Sequence, residues 1–384
     1  MSGFSSSSIE YYCLGGLIKD IDIVPSLRDF ELDSKDQTSY KTIDGHKLSL
    51  DSIYSFTRNK ALLSTNIEKN KQNDTLSIFS INSILSALNN RKSSIILQKS
   101  LMEAPKEVLN NIIKEMSGYF SSIIKDKNGN YFCTDLFKVC DKNQRIKILN
   151  EIYNTITEDC IDEYGSHPIQ TLIELASCEE EYKLLLMSFN DSNKILKAAF
   201  NENGTYVIQK LIVHIPEKFR KDFNLTFVKY IYILATDKYG VCTVIKFFKY
   251  TKNEIIEKHI LNLILSNFVN ISQNQYGNYL VQNILEQWWN SNKGLYLKKI
   301  CIDKFHILAA KKFSSYVCDM FLKLSDIEDK KELMSNLISF KNVNLFNCNN
   351  ISKIIINKLK KDLNNSLSNN NNNTKKVIKE KKSL

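Results

Sequence analysis

The sequence has little glycine and proline and lacks the short motifs of common enzymes. Eleven glycines and four prolines in 384 residues are few for a loop-rich all-β protein, so the composition favours a chain built mainly of helices. No P-loop, G-x-G-x-x-G or G-x-S-x-G sequence is present. The five histidines form no H-x-x-x-H pair and the nine cysteines no C-x-x-C pair. We therefore expect no metal site, no cofactor and no catalytic activity.

Long hydrophobic runs are also missing. No uncharged apolar run approaches the roughly 18–20 residues that a membrane-spanning helix needs, and the first residues show no basic segment followed by an apolar one. The odd, scattered cysteines are typical of reduced thiols. These absences predict a soluble, non-secreted protein without a membrane partner, in the cytoplasm, with the nucleus or nucleolus as alternatives.

The residues that are present can form a large core and a basic surface. Apolar residues make up 43% of the chain, and 52 Lys and Arg against 42 Asp and Glu leave a formal net charge of +10. A basic balance favours an anionic partner. A length of 384 residues exceeds one ordinary domain, which predicts either two domains or one extended array.

A short phrase recurs along the chain and decides between these two possibilities. Five glycines occupy equivalent places in it, and an apolar helical stretch follows each of them: Gly129, Gly165, Gly204, Gly240 and Gly277. Weaker copies without the glycine occur at Ser93-Ser94, at Ser314-Ser315 and, most degenerate, at Ser352-Lys353. A fixed period of this kind is the signature of a repeat architecture.

We call the residue after the glycine position the marker of each unit. The markers of units one to eight are Ser94, Asn130, Ser166, Thr205, Val241, Asn278, Ser315 and Ser352. Their spacings are 36, 36, 39, 36, 37, 37 and 37 residues. Two further amphipathic stretches lie between successive markers, so each unit is predicted to hold three helices. Because one unit cannot bury its own apolar faces, the units must stack into an all-α solenoid of about eight repeats.

The same pattern predicts the domain boundaries. The repeat domain covers residues 76–361, with the apolar stretch from Leu76 to Leu88 opening the first unit, and a polar linker precedes it at 68–75. Residues 1–67 share no repeat with the rest and are predicted to be a partly disordered extension of unassigned role. Residues 362–384 are rich in Asn and Lys and are predicted to be disordered.

Polar residues recur at the start of the middle helix of each unit. Asn278, Tyr279 and Gln282 stand at i, i+1 and i+4, so the two amides project from one side of a helix about one turn apart, with the ring beside them. Such a pair can hydrogen-bond the edge of a flat base while the ring stacks on its face. The alternative is that the Asn only caps the helix and the Gln is surface filler. Recurrence in register favours base recognition.

The phrases around Asn278, Thr205 and Ser315 resemble the repeats of the Pumilio (PUF) RNA-binding family. The resemblance covers about residues 76–361, and phrase, period and unit number agree. It implies a crescent of eight three-helix repeats whose concave face binds single-stranded RNA. One base would be read per repeat, with the protein chain antiparallel to the RNA.

The resemblance also implies which residues read the bases. Two carboxamides match uracil, a small residue with Gln matches adenine, and a carboxylate matches the two adjacent donors of guanine. The implied base-edge residues are Ser94, Gln98, Asn130, Thr134, Ser166, Gln170, Thr205, Gln209, Asn278, Gln282, Ser315 and Asp319. The implied stacking residues are Tyr131, His167, Tyr206, Tyr279 and Tyr316. Taken from unit eight to unit one, these residues correspond to the RNA sequence 5′-n-G-U-n-A-A-U-A-3′, in which n is any base.

Some units depart from the family pattern. Val241 and Ile245 carry no hydrogen-bonding side chain, so unit five is expected to tolerate any base. Cys242 and Ile95 stand where other units have a ring, which should cost affinity. The segment from Ser352 to Ile356 either reads a base or only closes the array. Trp288-Trp289, predicted to lie in an extended connection, either anchors a partner protein or covers neighbouring helix ends.

The resemblance implies a monomeric protein that binds a UGU-containing element in the 3′ untranslated region of mRNA and represses or destabilises the transcript. Effector proteins would bind the convex face or the Trp288-Trp289 segment. Two other functions stay open from the residues alone: a nucleolar relative that binds ribosomal RNA precursors, and an armadillo-like scaffold that binds a peptide.

Overall fold

The computed structural model describes residues 79–339 and 350–381, and this part of the chain is helical without any strand. All described residues belong to one domain-like part of the chain, which runs from Leu63 to Leu384. The predicted extension at 1–67, the linker at 68–75 and the first residues of the opening helix lie outside the described residues. The first described helix, Ile81–Leu88, continues that predicted helix.

Each marker lies at the start of a middle helix, as predicted. The middle helices of units one to eight are Arg91–Met102, Gly129–Val139, Ser166–Leu175, Gly204–His214, Gly240–Tyr250, Gly277–Trp288, Lys312–Leu324 and Asn350–Lys381. The first helices of units one to six are Ile81–Leu88, Phe120–Ile124, Ile156–Cys160, Ser192–Ala199, Ile231–Ala235 and Phe268–Gln273. The third helices are Lys106–Glu115, Lys142–Ile152, Glu179–Met187, Lys221–Phe227, Glu254–Ser266, Asn292–Leu308 and Ile327–Ser339.

In units one to five, the three predicted helices of each repeat are separate helices. Unit four adds two short 3₁₀ turns, Glu217–Phe219 and Val228–Tyr230. In unit six the third helix, Asn292–Leu308, runs without a break through the place of the first helix of unit seven. No glycine or proline stands after Gly294 in this segment to end the helix earlier.

Stacking of the units produces one continuous core. Each middle helix packs against the middle helices of the units before and after it, from Arg91–Met102 through to Asn350–Lys381. The buried apolar residues form one cluster that extends from Phe79 to Leu359. This continuity is what a repeat too small to bury its own faces requires.

A turn with a common hydrogen-bond pattern opens five of the middle helices. An Asp or Asn side chain three residues before the glycine accepts hydrogen bonds from the two backbone N–H groups that end the turn, at 2.7–3.0 Å. These acceptors are Asp126, Asp162, Asn201, Asp237 and Asn274. Side chains of this type satisfy N–H groups that a helix start leaves without a partner.

The glycine of this turn is required by close approach to the preceding helix. A Cβ atom on Gly204 would lie 2.6 Å from the carbonyl oxygen of Ala198, and one on Gly240 would lie 2.7 Å from that of Leu234. Real Cβ atoms do not approach a carbonyl oxygen this closely. The recurring glycine therefore sets the distance between the first and middle helices.

This packing predicts that Gly204→Ala destabilises the protein. Relief of the clash needs a backbone shift, and overpacking of this kind costs about 1–3 kcal/mol. At an ordinary helical position the same change would stabilise by about 0.5–1 kcal/mol. The thermal midpoint measured by circular dichroism should fall, whereas Asn193→Ala on the exposed start of the preceding helix should leave it unchanged. A rise in the midpoint of Gly204→Ala would show that the contact is not close.

Charged residues join successive third helices. The Arg145 Nε donates to Glu181 Oε1 at 2.8 Å, and both side chains are at most 9% exposed. Arg145, Glu181 and Arg220 each stand fifteen residues after their own marker, so the repeat itself aligns them. Arg220 is also buried and donates to the carbonyl oxygens of Ile215 and Tyr250.

The final helix extends further than predicted. It runs from Asn350 to Lys381, whereas the sequence predicted disorder from residue 362. The helix has no Gly or Pro after Asn350 that would end it. Its start is held by Ser352, which donates to the carbonyl oxygen of Ala309, and further along Lys330 of unit seven pairs with Asp362 at 2.8 Å and Leu363 packs against the core.

The two tryptophans lie inside the fold, so their role as an exposed anchor for a partner protein is contradicted. Trp288 ends the middle helix of unit six and is 4% exposed, and Trp289 is 7% exposed. The Trp288 ring lies 4.5 Å from the ring of Phe248, and the Trp289 ring lies 5.6 Å from the ring of Phe321. They cover neighbouring helices, which is the other interpretation that the sequence left open.

Candidate nucleic-acid interface

The middle helices present equivalent side chains along one row. Each marker is buried at the start of its helix, with exposed fractions of 8% or less. The residue after the marker points outwards: the exposed fraction is 61% at Tyr131, 53% at Tyr206 and 43% at Tyr316. His167 is also exposed, and Tyr279 is half-buried. The predicted stacking side chains therefore lie at the surface beside buried markers.

In unit six, the two predicted base-edge residues are in contact. Gln282 Nε2 donates to Asn278 Oδ1 at 3.0 Å. The Asn278 amide nitrogen donates to the carbonyl oxygens of Asn274 and Gln275 at 3.0 and 2.9 Å. These two carbonyls determine which way the buried amide points, because only its nitrogen can donate to them. Asn278 consequently offers an acceptor, and Gln282 offers a donor and an acceptor.

This orientation makes the match to uracil more specific. The Asn278 oxygen can accept from uracil N3–H, and Gln282 can donate to a flanking carbonyl oxygen. A base must take over the bond that Gln282 now makes to Asn278. The alternative interpretation, a helix cap with a filler Gln, accounts for the buried amide nitrogen but leaves the outward pair unexplained.

Units one and four use a hydroxyl with Gln in the same arrangement. Gln98 Nε2 donates to Ser94 Oγ at 3.0 Å, and Gln209 Nε2 donates to Thr205 Oγ1 at 3.3 Å. Thr205 Oγ1 also bonds to the hydroxyl of Thr243 at 2.9 Å in the next unit. A Gln amide can accept from adenine N6–H₂ and donate to N1, while the small marker leaves room for the purine.

Units two and three place their readers differently. Asn130 repeats the unit-six geometry, because its amide nitrogen donates to the carbonyl oxygens of Asp126 and Lys127. Thr134 Oγ1, in contrast, donates to the backbone oxygen of Asn130 at 2.8 Å and is engaged within its own helix. In unit three, Ser166 is buried and Gln170 is half-buried one turn later.

Unit seven contains the predicted acidic reader. Ser315 Oγ donates to the carbonyl oxygen of Lys312 at 2.6 Å, so this hydroxyl is directed into its own helix. Asp319 Oδ1 accepts from Lys358 Nζ at 2.8 Å. Lys358 lies on the last helix, 39 residues further along the chain. The Asp319 carboxylate is 45% exposed and accessible to a base.

Units five and eight have no Asn–Gln or Ser–Gln pair at the positions that the other units use. Val241 is buried, and Cys242 and Ile245 are partly buried apolar neighbours of the core. In unit eight, Ser352 is buried and donates to the carbonyl oxygen of Ala309 at 3.1 Å. Ser352 thus holds the last helix against unit seven, and whether this unit reads a base stays a prediction.

Two features of this interface were missed at the sequence level. The acidic or amide capping residue that precedes five of the eight markers was visible as a repeated Asp/Asn-x-x-Gly pattern, in Asp126 to Gly129 and four other turns. The contact of Lys358 with Asp319 had no such signal, because it depends on how unit eight packs on unit seven.

The described residues contain no group of three His, Cys, Asp or Glu side chains placed to hold a metal ion. Burial raises the pKa of the Cys140 thiol to about 12 and that of Cys133 and Cys301 further. These thiols are protonated at neutral pH and are not nucleophiles. No helix in the described ranges is long and apolar enough to cross a membrane.

A sequence profile of the Pumilio-family RNA binding repeat matches residues 119–153, 195–222, 230–265 and 267–288. These segments fall within units two, four, five and six. Pumilio homolog 12 of Arabidopsis thaliana is 27% identical over 250 residues, which cover 64% of this chain and 41% of the relative. The chain spans about two fifths of the length of the curated relatives it matches.

Solved structures share the fold. The Puf4 RNA binding domain bound to the HO endonuclease RNA 3′ UTR recognition sequence has a TM-score of 0.66 at 21% identity, covering 75% of this chain and 89% of that one. The RNA-binding domain of yeast Puf5p bound to AAT2 RNA has a TM-score of 0.62 at 21% identity, covering 72% and 82%. Repeat phrase, helix arrangement, profile matches and relatives agree: the matched segments are Pumilio-family (PUF) RNA binding repeats, and the chain is similar to Pumilio proteins over about two thirds of its length.

Proposed function

We propose that the chain binds single-stranded RNA in a sequence-specific manner through the row of middle helices. The observation that carries this proposal is an aromatic side chain directly beside a hydrogen-bonded pair, repeated in register: half-buried Tyr279 beside Asn278 and Gln282, and exposed Tyr206 beside Thr205 and Gln209. A flat base fits such a combination, because its edge and its face are engaged together.

Stacking supplies much of the affinity in this proposal. A base stacked on an aromatic ring contributes about 1–3 kcal/mol, whatever its identity. The net charge of +10 adds a salt-dependent attraction to phosphates.

Base edges supply the specificity. We infer uracil for unit six, guanine for unit seven and adenine for the units with a small marker and Gln, with unit five tolerating any base. The preferred element is then 5′-n-G-U-n-A-A-U-A-3′, with UGU character at its 5′ side. The RNA would run antiparallel to the protein chain.

The biological role follows as part of the same proposal. Solved relatives are bound to RNAs that include a 3′ UTR recognition sequence, which supports mRNA as the target class. We propose a cytoplasmic, monomeric regulator that represses translation or promotes mRNA decay through effector proteins on the surface opposite the RNA.

Fluorescence anisotropy tests the binding proposal directly. The full chain should bind a labelled RNA containing UGUAAAUA at about 150 mM salt and lose at least about tenfold in affinity when UGU is changed to ACA. Equal binding to both RNAs would contradict base recognition and favour the alternative in which the protein binds ribosomal RNA precursors. Absence of binding to either would leave the protein-interaction scaffold.

A further inference from the structure

Asp319, the predicted acidic base-edge residue of unit seven, forms an ion pair with a lysine of the last helix. Lys358 Nζ lies 2.8 Å from Asp319 Oδ1, and the two side chains are 48% and 45% exposed. A surface ion pair of this kind contributes little to stability. Its position at the predicted base-reading residue is therefore more informative than its contribution to folding.

An open pocket adjoins this ion pair. Its volume is about 520 Å³, and its lining includes Gln282, Tyr316, Asp319 and Lys358. The lining thus combines a reader of unit six, the ring and the reader of unit seven, and a residue of the last helix. A volume of this size is in the range of small-ligand pockets.

The chemistry of the pair matches one base edge. Lys358 has three N–H donors and uses one on Asp319, while a carboxylate can accept about four hydrogen bonds over its two oxygens. Together they offer donors beside acceptors. Guanine presents the complement: the O6 acceptor next to the N1–H and N2–H₂ donors.

Other bases fit this pair less well. Adenine places an N6–H₂ donor where guanine has O6, which opposes the ammonium, and its N1 acceptor opposes the carboxylate. Cytosine would place its N4–H₂ donor at the ammonium and its N3 and O2 acceptors at the carboxylate, the opposite of what the pair needs. Uracil satisfies the ammonium and one carboxylate oxygen but brings a second acceptor towards the carboxylate.

We propose that Lys358 is a specificity-determining residue that donates to guanine O6 while Asp319 accepts from N1–H and N2–H₂. This inference rests on the proposed function, because it assigns a further contact at the unit-seven position. The cation from unit eight offsets the short reach of Asp319 by adding a second contact to the same base. Unit eight thereby takes part in reading the base of unit seven.

A thermodynamic cycle with a modified base tests this contact. The full chain and its Lys358→Met variant are each titrated with UGUAAAUA RNA and with the same RNA carrying 6-thioguanosine in UGU. The modified base keeps N1–H and N2–H₂ and replaces O6 by sulfur, a weaker acceptor. The wild-type chain should lose about tenfold in affinity on this replacement, and Lys358→Met less than about threefold.

Two control variants accompany the cycle. Lys360→Met removes the same charge from an exposed position of the same helix and should keep the wild-type response. Lys358→Arg keeps a donor and should also keep a clear response to the sulfur replacement. Thermal midpoints of all variants should stay equal, because each residue lies at the surface.

The outcomes separate this inference from the function it rests on. Equal losses in the wild type and Lys358→Met would overturn the O6 contact while leaving RNA binding intact. Tighter binding of guanine RNA by Lys358→Met would also overturn it, because Lys358 would then only mask Asp319. Failure of the wild-type chain to bind UGUAAAUA at all would overturn both proposals.

Discussion

The double variant Tyr131→Ala, Tyr316→Ala is expected to bind UGUAAAUA RNA at least about thirtyfold more weakly than the wild type. Both rings are exposed, at 61% and 43%, and each follows the marker of its unit. A stacked base is worth about 1–3 kcal/mol, so two rings contribute at least about 2 kcal/mol. The units lie far apart in the array, so the losses should add.

A ring outside the row provides the matched control. Tyr296 is 60% exposed and lies on Asn292–Leu308, a third helix rather than a middle helix. Tyr296→Ala removes the same side chain at similar exposure and should leave affinity unchanged. Anisotropy at about 150 mM salt measures all three proteins.

Sequence preference distinguishes stacking from base reading in this experiment. Because every base has a face that can stack, the double variant should lose similar affinity for UGU and ACA RNAs. If Tyr296→Ala weakened binding as strongly as the double variant, the RNA would not lie along the middle helices.

Arg145→Met is expected to destabilise the fold by about 3–5 kcal/mol. It would leave the Glu181 carboxylate buried without its cation, although Ser177 still donates to it through its backbone N–H at 2.8 Å. Arg145 also donates to the carbonyl oxygen of Cys140 at 2.8 Å, and this bond would be lost. Removal of one partner of a buried pair is costly because the other charge stays out of water.

The double variant Arg145→Met, Glu181→Met separates charge from packing. Replacement of both partners by apolar side chains removes the uncompensated charge and should recover most of the lost stability. Lys183→Met, which breaks the exposed pair with Glu179, should leave the thermal midpoint unchanged. If Arg145→Met melted like the wild type, the pair would not hold units two and three together.

The same pair predicts an acid-dependent loss of stability. Burial alone would raise the pKa of Glu181, but the hydrogen bonds from Arg145 and Ser177 and the charge of Arg145 outweigh it and hold that pKa below its usual value. The stabilisation is complete above the ordinary glutamate pKa and is lost as the pH falls through the lower folded-state pKa. Thermal midpoints between about pH 6 and 3 should therefore fall more steeply for the wild type than for the double variant.

Much of the fold and the candidate site followed from the repeat. The marker spacing located the middle helices, and the predicted stacking residue Tyr131 is exposed; the burial of the markers, Asn278 among them, was not indicated by the sequence. A repeat carries this information locally, because each unit meets neighbours like itself and the same residue does the same task in each. Charged residues at one repeat position, such as Arg145 and Glu181, likewise meet across units.

Predictions outside the repeated pattern were less successful. The sequence did not decide whether Trp288 and Trp289 are exposed, because two adjacent rings do not show which side of a helix faces the core. The structure buries both. The final helix passes residue 362 because nothing ends it, although its composition suggested disorder. In both cases the outcome depended on contacts with one particular neighbour.

An all-α array and the places of its markers were determined by the sequence alone, since a constant period assigns each residue to a face of its helix. Contacts between unlike elements were decided only by the tertiary structure. It placed Lys358 of unit eight against Asp319 of unit seven. Hydrogen bonds and ion pairs act over a few ångströms, so which groups meet depends on how the helices pack.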